Sequence, residues 1–316
     1  MGRRLSRNRR RRPSAAVLSG IALLLALTGC SAERSPAGAA EGPAPRPAAG
    51  TPTGPVAPPA GAARRNLLYD AEQELQRRCM AAAGFRFWAT PENPLPEARE
   101  FPYVVDDERW AERYGHGSGF APRIQRLRRQ DPNQVYLRGL TADRRQAAVA
   151  ALNGPREGEE LRAELPGGVV VAHSARGCRA EAWRTLYGDA GEWYAANTLV
   201  GNLDGLRRLR VTADPRYATA VRAWSACMRA HGFAYEDPLE ARAASLGRKN
   251  APDRALEVRA AVQEARCAHS SGLAAVARRL DRDHDRELRR EHRAAVERVE
   301  RLRAAALPRA RAVLGR

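Results

Sequence analysis

Three polar residues of the types used in hydrolytic catalysis stand out in this chain. His116 and Ser118 lie in a glycine-rich run, Gly-His-Gly-Ser-Gly at 115–119, and His173 precedes a further serine. An imidazole that contacts a hydroxyl can act as the general base for a serine nucleophile. However, no aspartate or oxyanion feature completes the cluster near His173, and the run matches neither G-x-G-x-x-G nor G-x-S-x-G. We therefore predict no catalytic residue and keep a hydrolase that uses these three residues as an alternative.

The glycine-rich run at 115–119 also has the composition of an anion-binding loop. Consecutive backbone N–H groups in such a run can form a concave nest around an anion. A short helix is expected just before it, and the simpler interpretation is a flexible turn that follows this helix. The sequence favours the flexible turn over the nest.

Residues of metal-binding type also occur, but without the spacing of a metal centre. Asp281, His284, Asp285 and His292 fall in one densely charged helical stretch. Their spacing does not place both aspartates on one face with both histidines in a closed tetrahedral arrangement. The cysteines contain no C-x₂-C pair, which is the usual zinc spacing. The sequence thus predicts a solvated charged face, no metal site and no cofactor.

The cysteine with the clearest chemistry is Cys30. Residues 1–13 are rich in arginine, residues 14–26 are largely apolar, and residues 27–30 read Leu-Thr-Gly-Cys. The apolar run is shorter than the about 20 residues that a membrane-spanning helix needs, so the layout indicates a secretory signal. Its ending resembles the lipobox of bacterial lipoproteins. This resemblance implies cleavage of a signal peptide at 1–29, acylation of Cys30 by chains such as palmitate, and stable membrane anchoring.

The chain remains basic beyond the export signal. Of the +18 formal charge, seven units are arginines of the signal, which leaves +11 for the remainder. Because 36 acidic residues are interspersed with the basic ones, most of this charge is expected to form a solvated surface. On an exported protein such a surface can contact anionic lipid headgroups or an anionic wall polymer. Nucleic acid is not a partner in that compartment.

The other four cysteines belong to an internal repeat. The pattern C-M-x-A-x-G-F-x-aromatic begins at Cys79 and again at Cys227, and each copy is followed by a second cysteine, Cys178 or Cys267. Four cysteines in an oxidising compartment predict two disulfides with three possible pairings. The repeat favours Cys79–Cys178 and Cys227–Cys267, one disulfide in each copy.

Several stretches resemble a group of uncharacterised exported proteins and lipoproteins of actinomycetes. The resemblance is carried by the duplicated Cys-Met-x-x-x-Gly-aromatic pattern, by Trp224 three residues before Cys227, by residues 107–115, and by a Gly-Cys-x-x-Glu-Ala-x-x-x-Leu-Tyr-Gly run at 177–188. It covers about residues 65–275. The resemblance implies export but brings no known activity with it.

Helical periodicity dominates the chain after the signal. Residues 30–63, which carry the lipidated cysteine, are rich in Pro, Ala and Gly and predict a disordered linker. A first Cys-pair helical unit with an insertion is expected at 64–212, and a second at 213–316 with a long charged C-terminal helix. Only residues 167–172 predict a strand. The expected fold class is mainly α, with two disulfide-stapled helix–extension–helix units and long loops after a disordered linker.

Together these features predict an exported lipoprotein that is lipid-anchored to the extracytoplasmic face of the cell membrane. Because no catalytic constellation is evident, a non-enzymatic binding or scaffold module at the cell envelope is favoured, with an envelope protein or wall polymer as a possible partner. Two alternatives stay open. One is an envelope hydrolase that uses His116, Ser118 and His173, and the other is a sensory or inhibitory partner of a membrane complex.

Overall fold

The computed structural model describes residues 60–246 and 253–316. The predicted export signal, the predicted lipobox with Cys30 and nearly all of the predicted linker therefore lie outside the described residues. Within the described ranges the chain forms twelve helices and one two-stranded sheet. The prediction of a mainly α fold is confirmed.

The first half of the fold contains five helices and both strands. They are α1 (Ala60–Ala82), α2 (Glu108–Tyr114), α3 (Phe120–Gln130), α4 (Pro132–Gly139), α5 (Ala142–Asn153), β1 (Glu160–Glu164) and β2 (Val170–Ser174). Helix α1 starts at Ala60, so its first four residues fall within the linker that is predicted to end at 63. Helices α2, α4 and α5 begin at Asp107, Asp131 and Thr141, whose side chains accept hydrogen bonds from backbone N–H groups of the first turn.

The second half is entirely helical within the described ranges. Its elements are α6 (Cys178–Tyr187), α7 (Ala190–Ala213), α8 (Pro215–Ala230), α9 (Pro238–Leu246), α10 (Arg254–Ser270), α11 (Leu273–Glu291) and α12 (Arg293–Leu314). Asp214 caps α8 with proline at the first helical position, which is typical of a helix start. Gly272 separates α10 from α11, and His292 separates α11 from α12 within the predicted long C-terminal helix.

The repeated cysteine pattern builds the same helix end twice. Gly84 has a φ of +80° and its counterpart in the second copy +85°. The backbone N–H of Phe85 donates to the carbonyl of Met80, and that of Phe233 donates to Met228, both at 2.9 Å. This is a Schellman cap, in which a left-handed glycine closes the helix and the next residue packs back on it. The pattern therefore encodes a helix stop one turn after a cysteine.

Each of these helix ends is joined by a disulfide to a helix later in the chain. Cys79 pairs with Cys178, the first residue of α6, with a Cα–Cα distance of 5.5 Å. Cys227 pairs with Cys267 in the last turns of α10, at 5.7 Å. The pairing that the repeat favours is confirmed.

The two Cys-pair segments pack into one body. Helix α12 lies along α1, and Leu68 and Leu186 from the first segment share a buried cluster with Val299 from the second. Another cluster surrounds the fully buried Trp224 and includes Val104. Residues on both sides of the predicted boundary at 212/213 therefore contribute to common cores, and the described residues belong to a single compact unit.

The sheet is a small antiparallel hairpin. Glu160 of β1 lies opposite Ser174, and Glu164 lies opposite Val170 of β2. The strand predicted at 167–172 is present at slightly later residues, but β1 is not predicted. Its sequence, Glu-Leu-Arg-Ala-Glu, has no β-branched or aromatic residue. It forms a strand because pairing with β2 places Leu161 on the buried side.

Loss of the Cys79–Cys178 disulfide should destabilise the fold more than loss of Cys227–Cys267. Cross-links between residues 99 and 40 positions apart are worth at most about 4.7 and about 3.9 kcal/mol on the chain-entropy account. Urea unfolding of the Cys79→Ala/Cys178→Ala and Cys227→Ala/Cys267→Ala double variants measures both free energies of unfolding. The opposite order would contradict the account.

Candidate functional site

The glycine-rich run at 115–119 folds around a buried carboxylate of the chain itself. Oε1 of Glu257, in the first turn of α10, accepts hydrogen bonds from the backbone N–H groups of His116 at 2.9 Å and Ser118 at 3.1 Å. The hydroxyl of Ser118 donates to Oε2, and the guanidinium of Arg254 lies 3.0 Å from that oxygen. The run is a turn, as the sequence favours, and these hydrogen bonds hold it against α10. The loop forms the anion-binding nest, and Glu257 fills it.

Gly115 makes this close approach possible. Its φ is +58°, and a Cβ at this position would lie 2.7 Å from Oε1 of Glu257. Any side chain would therefore push the carboxylate away from the N–H groups that hold it. The glycine is needed for the space it leaves as well as for its backbone conformation.

The nest keeps Glu257 ionised although its side chain is buried. Burial raises the pKa of Glu257, but hydrogen bonds from the hydroxyl and N–H of Ser118 and from Arg254 outweigh burial. The net result is a pKa below the usual value for glutamate. The charged form is the one that the loop binds, as expected for a carboxylate that accepts several donors.

His116 extends the network to two more elements. Its side chain is fully buried. Nδ1 lies 2.7 Å from the hydroxyl of Ser245 in α9, and Nε2 lies 2.7 Å from Oε2 of Glu264 in α10. The other oxygen of Glu264 accepts the N–H of Val105 at 2.8 Å. Both ring nitrogens have partners, as a buried imidazole requires, so the loop, α9, α10 and the extension before α2 are joined at one point.

Ser245, His116 and Glu264 are hydrogen-bonded in the order of a Ser–His–acid triad. In such a triad the histidine activates the serine hydroxyl, which must reach a substrate. Here the side chain of His116 is fully buried, and Ser245 as a residue is only 6% exposed. In this conformation a substrate therefore cannot reach the serine hydroxyl. The three residues instead hold the loop, α9 and α10 together.

The three residues considered together for a hydrolase do not converge. Ser118 binds Glu257, not His116. His173 lies on β2, where its ring centroid is 5.0 Å from that of Trp183 and its Nδ1 is 2.8 Å from the carbonyl oxygen of Ser174. His173 is thus part of an aromatic cluster on the hairpin.

Three residues that complete the network are not predicted from the sequence, namely Glu257, Glu264 and Ser245. They are 129 to 148 positions away from His116, and no local pattern connects them. One signal was present. Glu257 and Glu264 are seven residues apart on the same face of α10 as three buried alanines, at helical spacing. Carboxylates on an alanine-lined face are expected to be buried and to need donors from elsewhere.

The aspartates of α11 bind an arginine of the chain. Asp281 and Asp285 each lie 2.9 Å from the guanidinium of Arg207 on α7, and the hydroxyl of Tyr103 donates to Asp281. His284 contacts Glu287 at 3.2 Å. The prediction of a simple solvated face is therefore incomplete, because the two aspartates connect α11 to α7.

A second possible ligand set lies at a disulfide. Among the described residues, the ligand atoms of Cys227, His231 and Cys267 all fall within 4.8 Å of one another. Both sulfurs are bonded to each other, so neither is a thiolate that could bind a metal. A nitrogen of His231, Nδ1, contacts the carbonyl oxygen of Cys227 at 2.8 Å. While the two sulfurs are bonded to each other, this group is a disulfide with His231 beside it.

An open groove of about 570 Å³ lies between the extension at 101–103, α8 and α9. Its floor is fixed by hydrogen bonds to the extension. The hydroxyl of Tyr217 donates to the carbonyl of Tyr103 at 3.1 Å, and Arg242 donates to the carbonyl of Phe101 at 2.6 Å. This volume is in the range of sites that hold a small molecule or a short peptide segment.

The groove combines apolar and charged groups. Leu239 is 74% exposed at its edge, and Arg222, Glu236 and Asp237 add both signs of charge. Burial raises the pKa of Tyr217 to about 12, so its hydroxyl stays neutral at physiological pH and keeps its hydrogen bond to the carbonyl of Tyr103. A ligand with an apolar part and polar ends matches this lining.

Comparisons with protein-family models, curated proteins and solved structures find no match to this chain. Within the described ranges, no helix has both the length and the apolar character needed to span a bilayer.

Glu257→Gln should destabilise the protein at neutral pH by about 2 kcal/mol, because it removes a charged acceptor of buried donors. The lowered pKa of Glu257 means that its contribution is present above the unfolded pKa and is lost as pH falls through the folded pKa. The difference from wild type should therefore shrink below about pH 4. Urea unfolding between pH 3 and pH 7 measures it.

The matched control is Glu112→Gln, because Glu112 is exposed on α2 next to the same loop. It should leave the free energy of unfolding almost unchanged across the range. Equal effects of Glu257→Gln and Glu112→Gln at neutral pH would show that the nest does not stabilise the fold.

Proposed function

We propose that this chain is an exported lipoprotein, anchored to the extracytoplasmic face of the membrane through lipidated Cys30, and that its helical body is a binding or scaffold module without enzymatic activity. The observation that carries the proposal is the order of a basic segment, an apolar segment and Leu-Thr-Gly-Cys at 27–30. Two acyl chains on one cysteine would give stable anchoring where one chain is marginal.

The cysteine pairing supports this proposal. The chain has five cysteines, and the four in the described ranges form two disulfides. Structural disulfides are typical of oxidising compartments outside the cytoplasm. The remaining cysteine is Cys30, which is the one that the lipobox resemblance assigns to lipidation.

The groove beside α8 and α9 is the binding site that we propose for this module. It is open, it has an aromatic floor, and its position is held by hydrogen bonds from Tyr217 and Arg242. A segment of an envelope protein, with apolar side chains between polar groups, fits this lining best. A purely anionic polymer would find Glu236 and Asp237 in its path.

An envelope hydrolase is the second candidate. In its favour, Ser245, His116 and Glu264 have the hydrogen-bond order of a catalytic triad. This set differs from the sequence-based one, because Ser245 replaces Ser118. The burial of all three residues favours a structural role for them, so the binding module is preferred.

Cys30→Ala should abolish lipidation and anchoring. In cells fed an alkyne-tagged fatty acid, the wild-type chain should carry the label and enter the detergent phase on phase separation. The variant should be unlabelled and stay in the aqueous phase. Thr28→Ser, which keeps a small residue before the cleavage position, should behave as wild type. A labelled Cys30→Ala chain would overturn the anchoring proposal.

Leu239→Asp should weaken binding of an apolar dye such as Nile red to the groove by about tenfold, because it removes most of an aliphatic contact. Val169→Asp is the control, since Val169 is 59% exposed on the hairpin away from the groove. Fluorescence titration measures both affinities. Equal dye binding by Leu239→Asp and wild type would argue against the groove as a binding site.

A further inference from the structure

Helices α3 and α4 form an exposed arm at residues 120–139. In α3 only Phe120 is buried, and in α4 no residue is buried. A surface helix of a globular protein normally buries an apolar face against its neighbours. Tyr136 and Leu137 of α4 are partly buried against the cluster around Met80 and Phe85. The apolar face of α3 beyond Phe120 lies in solvent instead, so it is available for a contact outside the described fold.

The exposed apolar residues of the arm follow helical spacing. Ile124 is 37% exposed, Leu127 is 38% exposed and Val135 is 50% exposed. Ile124 and Leu127 lie four and seven residues after Phe120, which places them on the same side of α3. The apolar face of α3 thus starts at the buried Phe120 and continues into solvent at Ile124 and Leu127.

The arm is strongly basic. Residues 120–139 contain five arginines and one acidic residue, Asp131. Asp131 is occupied as the N-cap of α4, where it accepts the N–H of Gln134. Arg123 pairs with Glu97. Three further arginines lie on α3, namely Arg126, Arg128 and Arg129. Their side chains make no hydrogen bond or ion pair with any residue in the described ranges.

An aromatic pair stands at the base of the arm. The backbone N–H of Trp88 donates to Asn133 of α4 at 2.9 Å, and the amide of Asn133 donates back to the carbonyl of Trp88 at 2.8 Å. The Trp88 ring lies 5.7 Å from that of Tyr136, and Trp88 is 36% exposed. Partly exposed tryptophan and tyrosine beside a basic apolar helix is the side-chain set found at membrane interfaces.

We propose that this arm docks on the surface of an anionic lipid bilayer. Lipid phosphates accept hydrogen bonds from the three unpaired arginines, and Ile124 and Leu127 enter the boundary between headgroups and acyl chains. The apolar residues select a bilayer over a soluble polyanion, which would use the arginines alone. The proposal rests on the proposed function only in that anchoring at Cys30 brings the bilayer near.

Docking would add a second attachment to that of the lipid. The 29 residues between Cys30 and α1 would span roughly 30 Å as a flexible coil, so the arm would bind at a high effective concentration. The two attachments together would fix the orientation of the body on the membrane, which a flexible tether alone cannot do.

The test uses the mature chain, residues 30–316 with Cys30→Ala, so that neither the signal nor an acyl chain contributes to binding. Its flotation with phosphatidylcholine vesicles is compared with flotation with vesicles that also contain phosphatidylglycerol. We expect binding to the anionic vesicles only. The additional substitutions Arg126→Gln, Arg128→Gln and Arg129→Gln should lower the partition coefficient by roughly 100-fold, since each arginine near an anionic surface contributes severalfold.

A charge-matched control separates docking of the arm from general attraction. It carries three equivalent substitutions of exposed arginines on α11 and α12, namely Arg290→Gln, Arg301→Gln and Arg311→Gln. This control should bind nearly as the parent chain does. Circular dichroism and thiol labelling verify that every variant is folded with both disulfides formed.

The pair Ile124→Ser and Leu127→Ser tests the apolar part. It should lower the partition coefficient by about tenfold while leaving the net charge unchanged. The proposal would be overturned if the parent chain did not bind to anionic vesicles. It would also be overturned by equal losses in both arginine variants, or by a serine variant that binds as the parent chain does. Because Cys30 is absent from these assays, such a result leaves the anchoring proposal standing, and a failed fatty-acid label at Cys30 leaves docking of the arm standing.

Discussion

The burial of two carboxylates on one face of α10 is the constraint on which the surrounding structure depends. A carboxylate removed from water is strongly unfavourable unless hydrogen bonds replace its hydration. Glu257 finds its donors in the glycine loop, and Glu264 finds them in His116 and Val105. The loop after α2 and the extension before it must therefore meet α10. The same extension continues to Tyr103, so the position of the groove follows from this network.

The sequence predicts well what neighbouring residues encode. The Cys-Met-x-x-x-Gly-Phe pattern contains a complete helix stop, and its duplication was enough to favour the correct disulfides. Asp214 before a proline and Gly272 mark helix boundaries by the same local logic. The candidate site could not be predicted in this way. Its donors and acceptors are more than a hundred positions apart. The alanines beside Glu257 on α10 predict burial of its carboxylate, but they do not indicate which residues supply the donors.

The proposals assign separate tasks to separate parts of the chain. The segment with Cys30 would hold the protein at the membrane, the basic arm at 120–139 would set its orientation, and the groove beside α8 and α9 would face the partner. Two disulfides and the buried hydrogen-bond network around His116 stabilise the body. The groove and the arm therefore keep fixed positions relative to each other, which suits this division. Within the described ranges, the set of Ser245, His116 and Glu264 is buried and contributes to packing.

The pairing of α1 with α12 also determines how the fold would resist a pull. The start of α1 lies beside residues 300–307 of α12, and near its end the Arg78 guanidinium contacts the carbonyl of Val313. The two helices thus run side by side in the same direction. Tension arriving at Ala60 would load their contacts together in shear instead of peeling them apart one by one. The disulfide also joins Cys79 of α1 covalently to α6, so α1 would stay attached to the body even if it slid along α12.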